Sequence, residues 1–325
     1  MEPNRLKICT LGGGTGNFVV LSGLRNYDVD ISAIVSMADD GGSTGVLRDE
    51  LGVLPAGDAR QCIVALSDSS ILMRNLMNYR FESGGLAGHN FGNLFLSALE
   101  KVTGSFERAI EEVGKVLTIK GKVIPVTTQE VRLKMVLMSG RLLDGEREIY
   151  LSSEISRGYS SIFLDPHPSA NPHALQAILE SDVLIVGPGG LYTSLVSNLL
   201  VDGITRAILK SKATKIFVVN LMNRHGQTEN FHVSDYLREM EKCIGKDVFD
   251  YVIVNNQMPP PELMDVYRKE GDLVRSDFAD ERIIETALLG EIGKQHHKDL
   301  LKRCLIRHDP RKLADEIMKL VLCLT

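Results

Sequence analysis

Three glycine-bearing clusters in this sequence carry residue types that contact phosphate groups. The first is Gly12, Gly13, Gly14, Thr15 and Gly16, which follows an apolar, β-branched run and precedes a helical pattern. Glycine lets the backbone approach an oxyanion closely, and a helix N-terminus offers free N–H groups and the positive end of its dipole. The cluster lacks the last glycine of the dinucleotide fingerprint and the lysine of a Walker loop. We therefore expect it to contact a phosphate or a nucleotide, with a tight structural turn as the alternative.

The second cluster also follows a predicted strand, and it carries two neighbouring carboxylates. Paired carboxylates can hold Mg²⁺ beside phosphates, accept hydrogen bonds from ribose hydroxyls or act as a base. The alternative is an N-cap followed by a turn, but one aspartate would suffice for a cap. We therefore expect ligand contact from Asp39, Asp40, Gly41, Gly42, Ser43 and Thr44.

A third cluster follows the apolar run Val183–Val186 and opens another helical pattern. At the end of a strand in a parallel sheet, its loop would lie beside the first cluster and face the same ligand. Helix capping after a tight turn is the alternative. The residues expected at the ligand are Gly187, Pro188, Gly189, Gly190, Thr193 and Ser194.

Polar residues outside these clusters give weaker signals. Asp58 and Asn90 each follow a glycine at a polar helix start and are interpreted as N-caps. The two helix starts, which carry Asp58 and the pair Asn90 and Asn93, are also candidates to line the same cleft. Asn220 follows a predicted strand and is a candidate to point into the cleft. The candidates for stacking on a base and for pairing with a pyrophosphate are Tyr267 and Arg307, with an ordinary surface position as the alternative for both.

Short apolar runs alternate with longer helical patterns along most of the chain. This alternation indicates an α/β protein with a mostly parallel sheet and helices on both faces. The predicted strands are Leu6–Leu11, Ile31–Met37, Val183–Val186, Lys215–Asn220, Tyr251–Asn255 and a short one at Leu305–Ile306. Among the predicted helices are Phe18–Leu24, Leu191–Val201, Val233–Cys243, Glu262–Lys269 and Arg311–Leu322.

The middle of the chain differs, because its strand candidates are short and separated by Gly, Asp and Ser. These candidates are Val123–Val126, Arg132–Met138, Arg147–Leu151 and Ser160–Leu164, and they predict an antiparallel insertion. We therefore expect a nucleotide-binding α/β core made of residues 1–120 and 171–325. A small strand-rich lobe of residues 121–170 would be inserted into it.

Composition and charge exclude several classes of protein. With 325 residues, 37 Lys+Arg against 42 Asp+Glu and a net charge of −5, the chain has no basic footprint for nucleic acid. The five cysteines form no Cys-x-x-Cys pair, and His296–His297 has no third ligand at zinc spacing. The start of the chain lacks a signal peptide's apolar run, and the uncharged stretch Val183–Val201 contains a glycine turn. We therefore expect a cytoplasmic protein with no membrane span.

Six sequence blocks, taken in order, resemble those of a known family. They are LGGGTG, MADDGGSTGVLRDELG, PAGDARQCIVALS, GHNFGNLFLSAL, VGPGGLYTSLVSNLLVDGI and NLMNRHGQTENF. Together they are similar to the CofD-like superfamily, and specifically to its bacterial branch, the gluconeogenesis factor (YvcK-type) proteins. The resemblance extends over nearly the whole chain.

This resemblance implies a Rossmann-like α/β fold and roles for particular residues. Gly12–Gly16 matches the family's phosphate loop, and Gly187–Ser194 matches its second nucleotide loop. Asp39 and Asp40 match the acidic pair that would hold Mg²⁺ in the transferase branch, and no other cofactor is expected. Gly190 stands where many members have Ser, a departure that is compatible with phosphate contact.

Each branch of the superfamily implies a different function. Gluconeogenesis factors are associated with carbon metabolism, cell shape and cell-wall synthesis, and they bind UDP-sugars without an established catalytic activity. The resemblance therefore implies a regulatory protein that binds a nucleotide sugar such as UDP-N-acetylglucosamine and acts on protein partners in cell-wall regulation. The alternative is a Mg²⁺-dependent 2-phospho-L-lactate transferase acting on a deazaflavin coenzyme precursor, with Asp39 and Asp40 as its catalytic candidates. The incomplete glycine motif for dinucleotide binding disfavours a nicotinamide dehydrogenase. A homodimer is expected because two-fold dimers are the commonest oligomers.

Overall fold

A computed structural model describes residues 5–290 and 306–322 of the chain. The strands within these ranges are β1 (Lys7–Gly12), β2 (Asp30–Val35), β3 (Lys122–Pro125), β4 (Arg132–Leu137), β5 (Leu142–Asp144), β6 (Tyr159–Asp165), β7 (Val183–Val186), β8 (Thr214–Val218), β9 (Tyr251–Asn255) and β10 (Ile283–Thr286). The helices are α1 (Gly14–Leu24), α2 (Gly42–Leu51), α3 (Gly57–Leu66), α4 (Ile71–Asn78), α5 (Phe91–Thr103), α6 (Phe106–Val116), α7 (Glu146–Leu151), α8 (Pro172–Glu180), α9 (Ser197–Leu199), α10 (Ile204–Lys210), α11 (Val233–Ile244), α12 (Pro261–Tyr267) and α13 (Pro310–Leu322). Short 3₁₀ turns occupy Gly84–Leu86 and Ile155–Arg157, and a π-helical segment occupies Leu191–Val196.

Seven of these strands form one large sheet in the order β10-β9-β8-β7-β1-β2-β3. Every neighbouring pair in it is parallel. All four residues of β7 are buried, which explains why its sequence is a continuous apolar run rather than an alternating one. The predicted α/β fold with a mostly parallel, Rossmann-like sheet is confirmed.

The direction in which strands are added to the sheet reverses between β1 and β7. Strands β2 and β3 extend the sheet on one side of β1, whereas β8, β9 and β10 extend it beyond β7. Gly12 at the end of β1 is in register with Val35, and Leu11 is in register with Val186. In open parallel sheets, ligands bind in the crevice outside the strand ends at such a switch point. The loops after β1 and β7 both open into this crevice.

A smaller antiparallel sheet, in the order β5-β4-β6, lies in the predicted lobe. Leu133, Met135 and Leu137 of β4 are buried, whereas the residues between them are half-buried. This alternation is expected of a sheet that covers a core with one face. The predicted strands Arg132–Met138 and Ser160–Leu164 correspond to β4 and β6.

Two strand predictions in the middle of the chain are wrong. Val123–Val126 was expected in the antiparallel lobe, but it overlaps β3, which pairs with β2 in the large sheet. A four-residue apolar run does not specify which strand it will pair with. Arg147–Leu151 was expected to be a strand but lies in α7, because Gly145 turns the chain at φ 122° and a Glu-Arg-Glu sequence starts a helix after it.

The uncharged stretch from Val183 to Val201 is a strand, a glycine turn and a helical segment, as expected. Within residues 5–290 and 306–322, no helix is long and apolar enough to cross a membrane. The His296–His297 pair and Leu305 of the predicted short strand lie outside the described residues.

Candidate functional site

The loops after β1 and β7 are packed directly against each other. A Cβ atom added to Gly16 would collide with the carbonyl oxygen of Pro188, and one added to Gly13 would collide with the Ser194 hydroxyl. The side chain of Asn198 joins the loops from below, because its Nδ2 donates to the carbonyl oxygens of Gly12 at 3.0 Å and Ser194 at 2.6 Å. The first and third glycine clusters therefore form one continuous backbone surface.

Asn220 holds the second of these loops in place. Its Oδ1 accepts a hydrogen bond from the Gly189 N–H at 2.9 Å, and its Nδ2 donates to the Gly189 carbonyl oxygen at 2.8 Å. This asparagine follows β8, the strand next to β7. The structure thus places Asn220 at the cleft, where both ends of its side-chain amide are hydrogen-bonded to the loop backbone.

Two carboxyl groups lie beside the glycine loops. Asp39 accepts a hydrogen bond from the Gly41 N–H at 2.9 Å and one from the Thr44 hydroxyl. Asp58, in the first turn of α3, accepts the N–H of Gly14 at the start of α1, and a Cβ atom on Gly14 would lie only 2.6 Å from its Oδ1. Asp58 therefore lies beside the first glycine loop. It is not the N-cap that the sequence predicts, because α3 begins at Gly57 and Ala56 occupies the N-cap position.

The small sheet's lobe contributes a third carboxyl group, from Glu146 at the start of α7. Its carboxyl accepts a hydrogen bond from the Thr193 hydroxyl of the π-helical segment. The neighbouring Arg147 N–H donates to Asp40 Oδ1 at 2.7 Å, and Gly145 leaves no room for a side chain beside Asp40. The lobe is thus attached both to the loop that carries Asp39 and Asp40, called the acidic loop below, and to the second glycine loop at residues 187–190.

The carboxyl groups of the site raise one another's pKa values. Burial first, and then the charge of Asp39, raise the pKa of Asp58 to about 7. Burial raises the pKa of Asp39, against the hydrogen bonds from Gly41 and Thr44, which lower it. Burial, followed by the charges of Asp39, Asp58 and Asp40, raises the pKa of Glu146 well above its usual value. Protons, or a cation that neutralises the carboxylates, would therefore relieve the charge repulsion in this site.

The polar residues at the start of α5 support the acidic loop. Asn90 caps α5 by accepting the Asn93 N–H at 3.1 Å. Asn93 donates through Nδ2 to Thr44 Oγ1 at 3.2 Å and accepts from Arg60 Nε at 2.9 Å. The backbone N–H of Asn90 also donates to Ser43 Oγ at 3.2 Å. The structure therefore brings both predicted asparagines to the site, beneath Asp39 rather than at its mouth.

The remaining residues that the sequence predicts at the ligand lie in different parts of the fold. Thr15 is exposed on the first turn of α1, where its hydroxyl donates to Gln61 Oε1 at 3.1 Å. Tyr267 is buried in a second apolar cluster that begins at Leu221, directly after Asn220. Arg307 is exposed and follows Ile306 of the same cluster.

Two carboxyl groups of the site were not singled out from the sequence: Asp58, which lies in a helix start that was a candidate to line the cleft, and Glu146, which was missed. The polar segment Gly57-Asp58-Ala59-Arg60 was a signal for the first, because aspartate after glycine also suits a ligand loop. No local pattern marks the second. Among residues 5–290 and 306–322, no three His, Cys, Asp or Glu side chains are grouped closely enough to hold a metal ion by themselves.

The chain is similar in sequence and in fold to several known proteins. Residues 8–289 match the sequence model of the family described as 2-phospho-L-lactate transferase CofD. A putative gluconeogenesis factor of Thermotoga maritima is 42% identical over 323 residues, which cover 97% of this chain and 99% of the relative. The gluconeogenesis factor of Bacillus subtilis is 37% identical over 317 residues, covering 97% and 98%. A crystal structure of a UPF0052-family protein from Bacillus halodurans superimposes with a TM-score of 0.87 at 35% identity, covering 97% of this chain and 99% of that one.

Proposed function

Because this chain belongs to the CofD family and has gluconeogenesis factors among its relatives, we propose that it is a regulatory protein that binds a nucleotide sugar such as UDP-N-acetylglucosamine. The pyrophosphate would lie over Gly12–Gly16 and Gly187–Gly190. The acidic loop would meet the sugar or ribose hydroxyls. We place the protein in the cytoplasm, as a homodimer that links carbon metabolism to cell-wall synthesis and cell shape through protein partners.

The observation that carries this proposal is the contact between the two glycine loops at the switch point of the sheet. The close approach of Gly16 to Pro188 leaves backbone groups, rather than side chains, along this part of the crevice. A backbone surface next to the N-terminus of α1 suits a diphosphate, because N–H groups and the helix dipole both favour negative charge. A net charge of −5 does not oppose this, since a single nucleotide needs only local donors.

The carboxyl groups beside these loops require a counter-charge when an anionic ligand binds. Mg²⁺ is usually held by one or two carboxylates together with substrate phosphates, so a complete protein cage is not needed. The oxygen donors that suit it here are Asp39, Asp40 and Asp58. Bound Mg²⁺ would neutralise the repulsion between these carboxylates and the diphosphate. In its absence, protonation of Asp58 serves the same purpose near neutral pH.

Isothermal titration with UDP-N-acetylglucosamine, uridine monophosphate and inorganic phosphate tests the proposal. We expect the sugar nucleotide to bind more tightly than either fragment, because it engages both glycine loops and the acidic loop. An affinity no better than that of inorganic phosphate would contradict the proposal.

A second candidate function is 2-phospho-L-lactate transfer, which the family match over residues 8–289 favours. Asp58, with a pKa of about 7 beside the phosphate loop, has the value that suits a general base. Incubation with a nucleotide-activated phospholactate and a deazaflavin acceptor tests it. Transfer that Asp39→Asn abolishes would establish the transferase, and absence of transfer with Mg²⁺ present would leave the binding function.

A further inference from the structure

The outer edge of β10 exposes backbone groups that have no partner among the described residues. Val252 and Asn256 donate to the carbonyl oxygens of Arg282 and Thr286, at 2.8 and 3.1 Å, so the even-numbered residues of this strand face β9. Glu285, between them, faces outward. The Ile283 N–H is used within a turn, by donation to Asp280 at 3.0 Å. The Ile283 carbonyl and both backbone groups of Glu285 remain as an open pairing edge.

The opposite edge of the same sheet is protected at the end of β3. In β3 the Val126 N–H that follows the strand donates to Val35, so Pro125 is the residue that faces outward. Proline has no N–H to offer, and its carbonyl oxygen already accepts a hydrogen bond from Asn171 Nδ2 at 3.1 Å. Natural sheets protect their edges with such devices. The described part of β10 has neither a proline nor a side-chain cap at this edge, and its protection is limited to its shortness and the exposed charge of Glu285. An acidic side chain opposes pairing with another acidic strand but favours a basic one.

A shallow, open groove of about 400 Å³ adjoins this edge, where it is lined by Ile283 and Glu285 together with the segment 278–281 that precedes β10. Phe278, which is 37% exposed, and Ile283 provide its apolar lining. Its charge is acidic, from Glu281 and Glu285, both exposed and without an ion pair among the described residues. The groove's third acidic residue, Asp280, is already paired with Arg282 at 2.7 Å. The uncompensated charge of the groove is therefore negative.

We propose that β10 is a docking edge for an extended basic segment of a partner protein, which adds to the large sheet as an eighth strand. Backbone hydrogen bonds to Ile283 and Glu285 would supply the pairing, as in other cases of strand addition. Alternate side chains of the segment would face the groove and place basic groups near Glu281 and Glu285. This surface is separate from the nucleotide site and does not depend on it.

A second copy of this chain fits the edge less well than a basic segment. Antiparallel pairing of two β10 strands about a two-fold axis would bring their acidic side chains together. Like charges that face each other across strands are destabilising. The charge of the groove thus distinguishes the two occupants.

Fluorescence polarisation with a labelled hexapeptide, Lys-Val-Lys-Ile-Lys-Val, tests the proposal on the full chain. Two matched peptides accompany it: Lys-Val-Lys-Pro-Lys-Val, which keeps the charge but disrupts pairing, and Glu-Val-Glu-Ile-Glu-Val, which reverses the charge. We expect the first peptide to bind at least about tenfold more tightly than either of the others. Hydrogen exchange should show protection of the Glu285 amide only when the first peptide is bound.

Protein variants separate pairing from charge. Glu285→Pro removes the outward N–H without touching the bonds to β9, and Glu285→Lys reverses the local charge on an exposed side chain. Both should weaken binding by about tenfold or more, whereas Glu111→Lys on the exposed face of α6 should not. Equal binding of the proline peptide, or binding that both Glu285 variants leave unchanged, would overturn the proposal. So would the absence of peptide binding, or dimerisation of the free chain that Glu285→Pro abolishes.

Discussion

Asn220 and Gly189 form a two-way pair, in which one side-chain amide satisfies both the N–H and the C=O of one glycine, at 2.9 and 2.8 Å. The asparagine follows β8 and the glycine follows β7, so the pair ties the ends of neighbouring strands together. The second glycine loop is therefore held at Gly189 by a side chain, in addition to the backbone hydrogen bonds of Gly187 and Gly190.

Replacing Asn220 by alanine should loosen this loop. Loss of the two hydrogen bonds leaves backbone groups of Gly189 unpaired, which we expect to lower the free energy of unfolding by about 1–3 kcal/mol. Affinity for UDP-N-acetylglucosamine should fall as well. Urea unfolding and calorimetric titration measure both effects, with Asn256→Ala, at an exposed asparagine, as the matched control. Equal changes of unfolding free energy and affinity in the two variants would show that the Asn220–Gly189 pair contributes to neither.

Substitution of Gly16 by alanine should separate the two glycine loops. Its new methyl group would occupy the position of the Pro188 carbonyl oxygen, whereas Gly85→Ala adds a methyl group in open space. We expect nucleotide-sugar affinity to fall by about tenfold or more in the first variant, and not to change in the second. Calorimetric titration of both variants measures this difference, and circular dichroism checks that they remain folded. Unchanged affinity in a folded Gly16→Ala protein would show that the packing of these loops is not needed for binding.

The pKa of Asp58 gives the protein a pH-dependent stability. This group titrates at about 7 in the folded chain against 3.8 normally, so between these values the folded state binds more protons than the unfolded state. The free energy of unfolding should therefore decrease as the pH rises from about 4 through about 7. Asp58→Asn should weaken this dependence, whereas Asp265→Asn, at an exposed carboxylate of α12, should not. Urea titrations at about pH 5 and about pH 8 compare the three proteins.

Magnesium should strengthen nucleotide-sugar binding if Asp39 and Asp40 help to hold it. Chelation of the metal should then weaken binding by about tenfold, because the carboxylates and the diphosphate would repel each other without it. Asp39→Asn and Asp40→Asn should each reduce this difference. Titration of each protein with and without a chelator provides the measurement, and equal affinities in the parent protein would argue against a metal.

The inner strands of the large sheet could be predicted from sequence because they are buried on both faces, whereas the edge strands β3 and β10 could not. Val183–Val186 and Tyr251–Asn255 were predicted with the bounds that the structure shows, since each is an apolar run with a clear end. The start of α1 was placed too late, at Phe18, because glycines 14 and 16 are poor helix formers in isolation. In the folded chain the close packing against Pro188 outweighs that weak preference.

Glu146 could not be predicted as a site residue, because it reaches the site only through contacts that are distant along the chain. Gly13 stands directly after β1 and Asp39 four residues beyond the end of β2, and the ends of parallel strands meet at one edge of the sheet. Glu146 reaches the same place from a short helix of the lobe, through contacts with Asp40 and Thr193 that are distant along the chain. Local patterns carry no information about such an approach.

The pairing of β1 with β7 also has a consequence for synthesis of the protein. Roughly 170 residues separate the two strands, so at ribosomal rates β1 waits about 10 to 30 s for its second neighbour. During this interval the edge of β1 that will face β7, at the switch point of the sheet, is uncovered in the nascent chain. Translation speed and chaperone access over the segment between them would then influence the yield of folded protein.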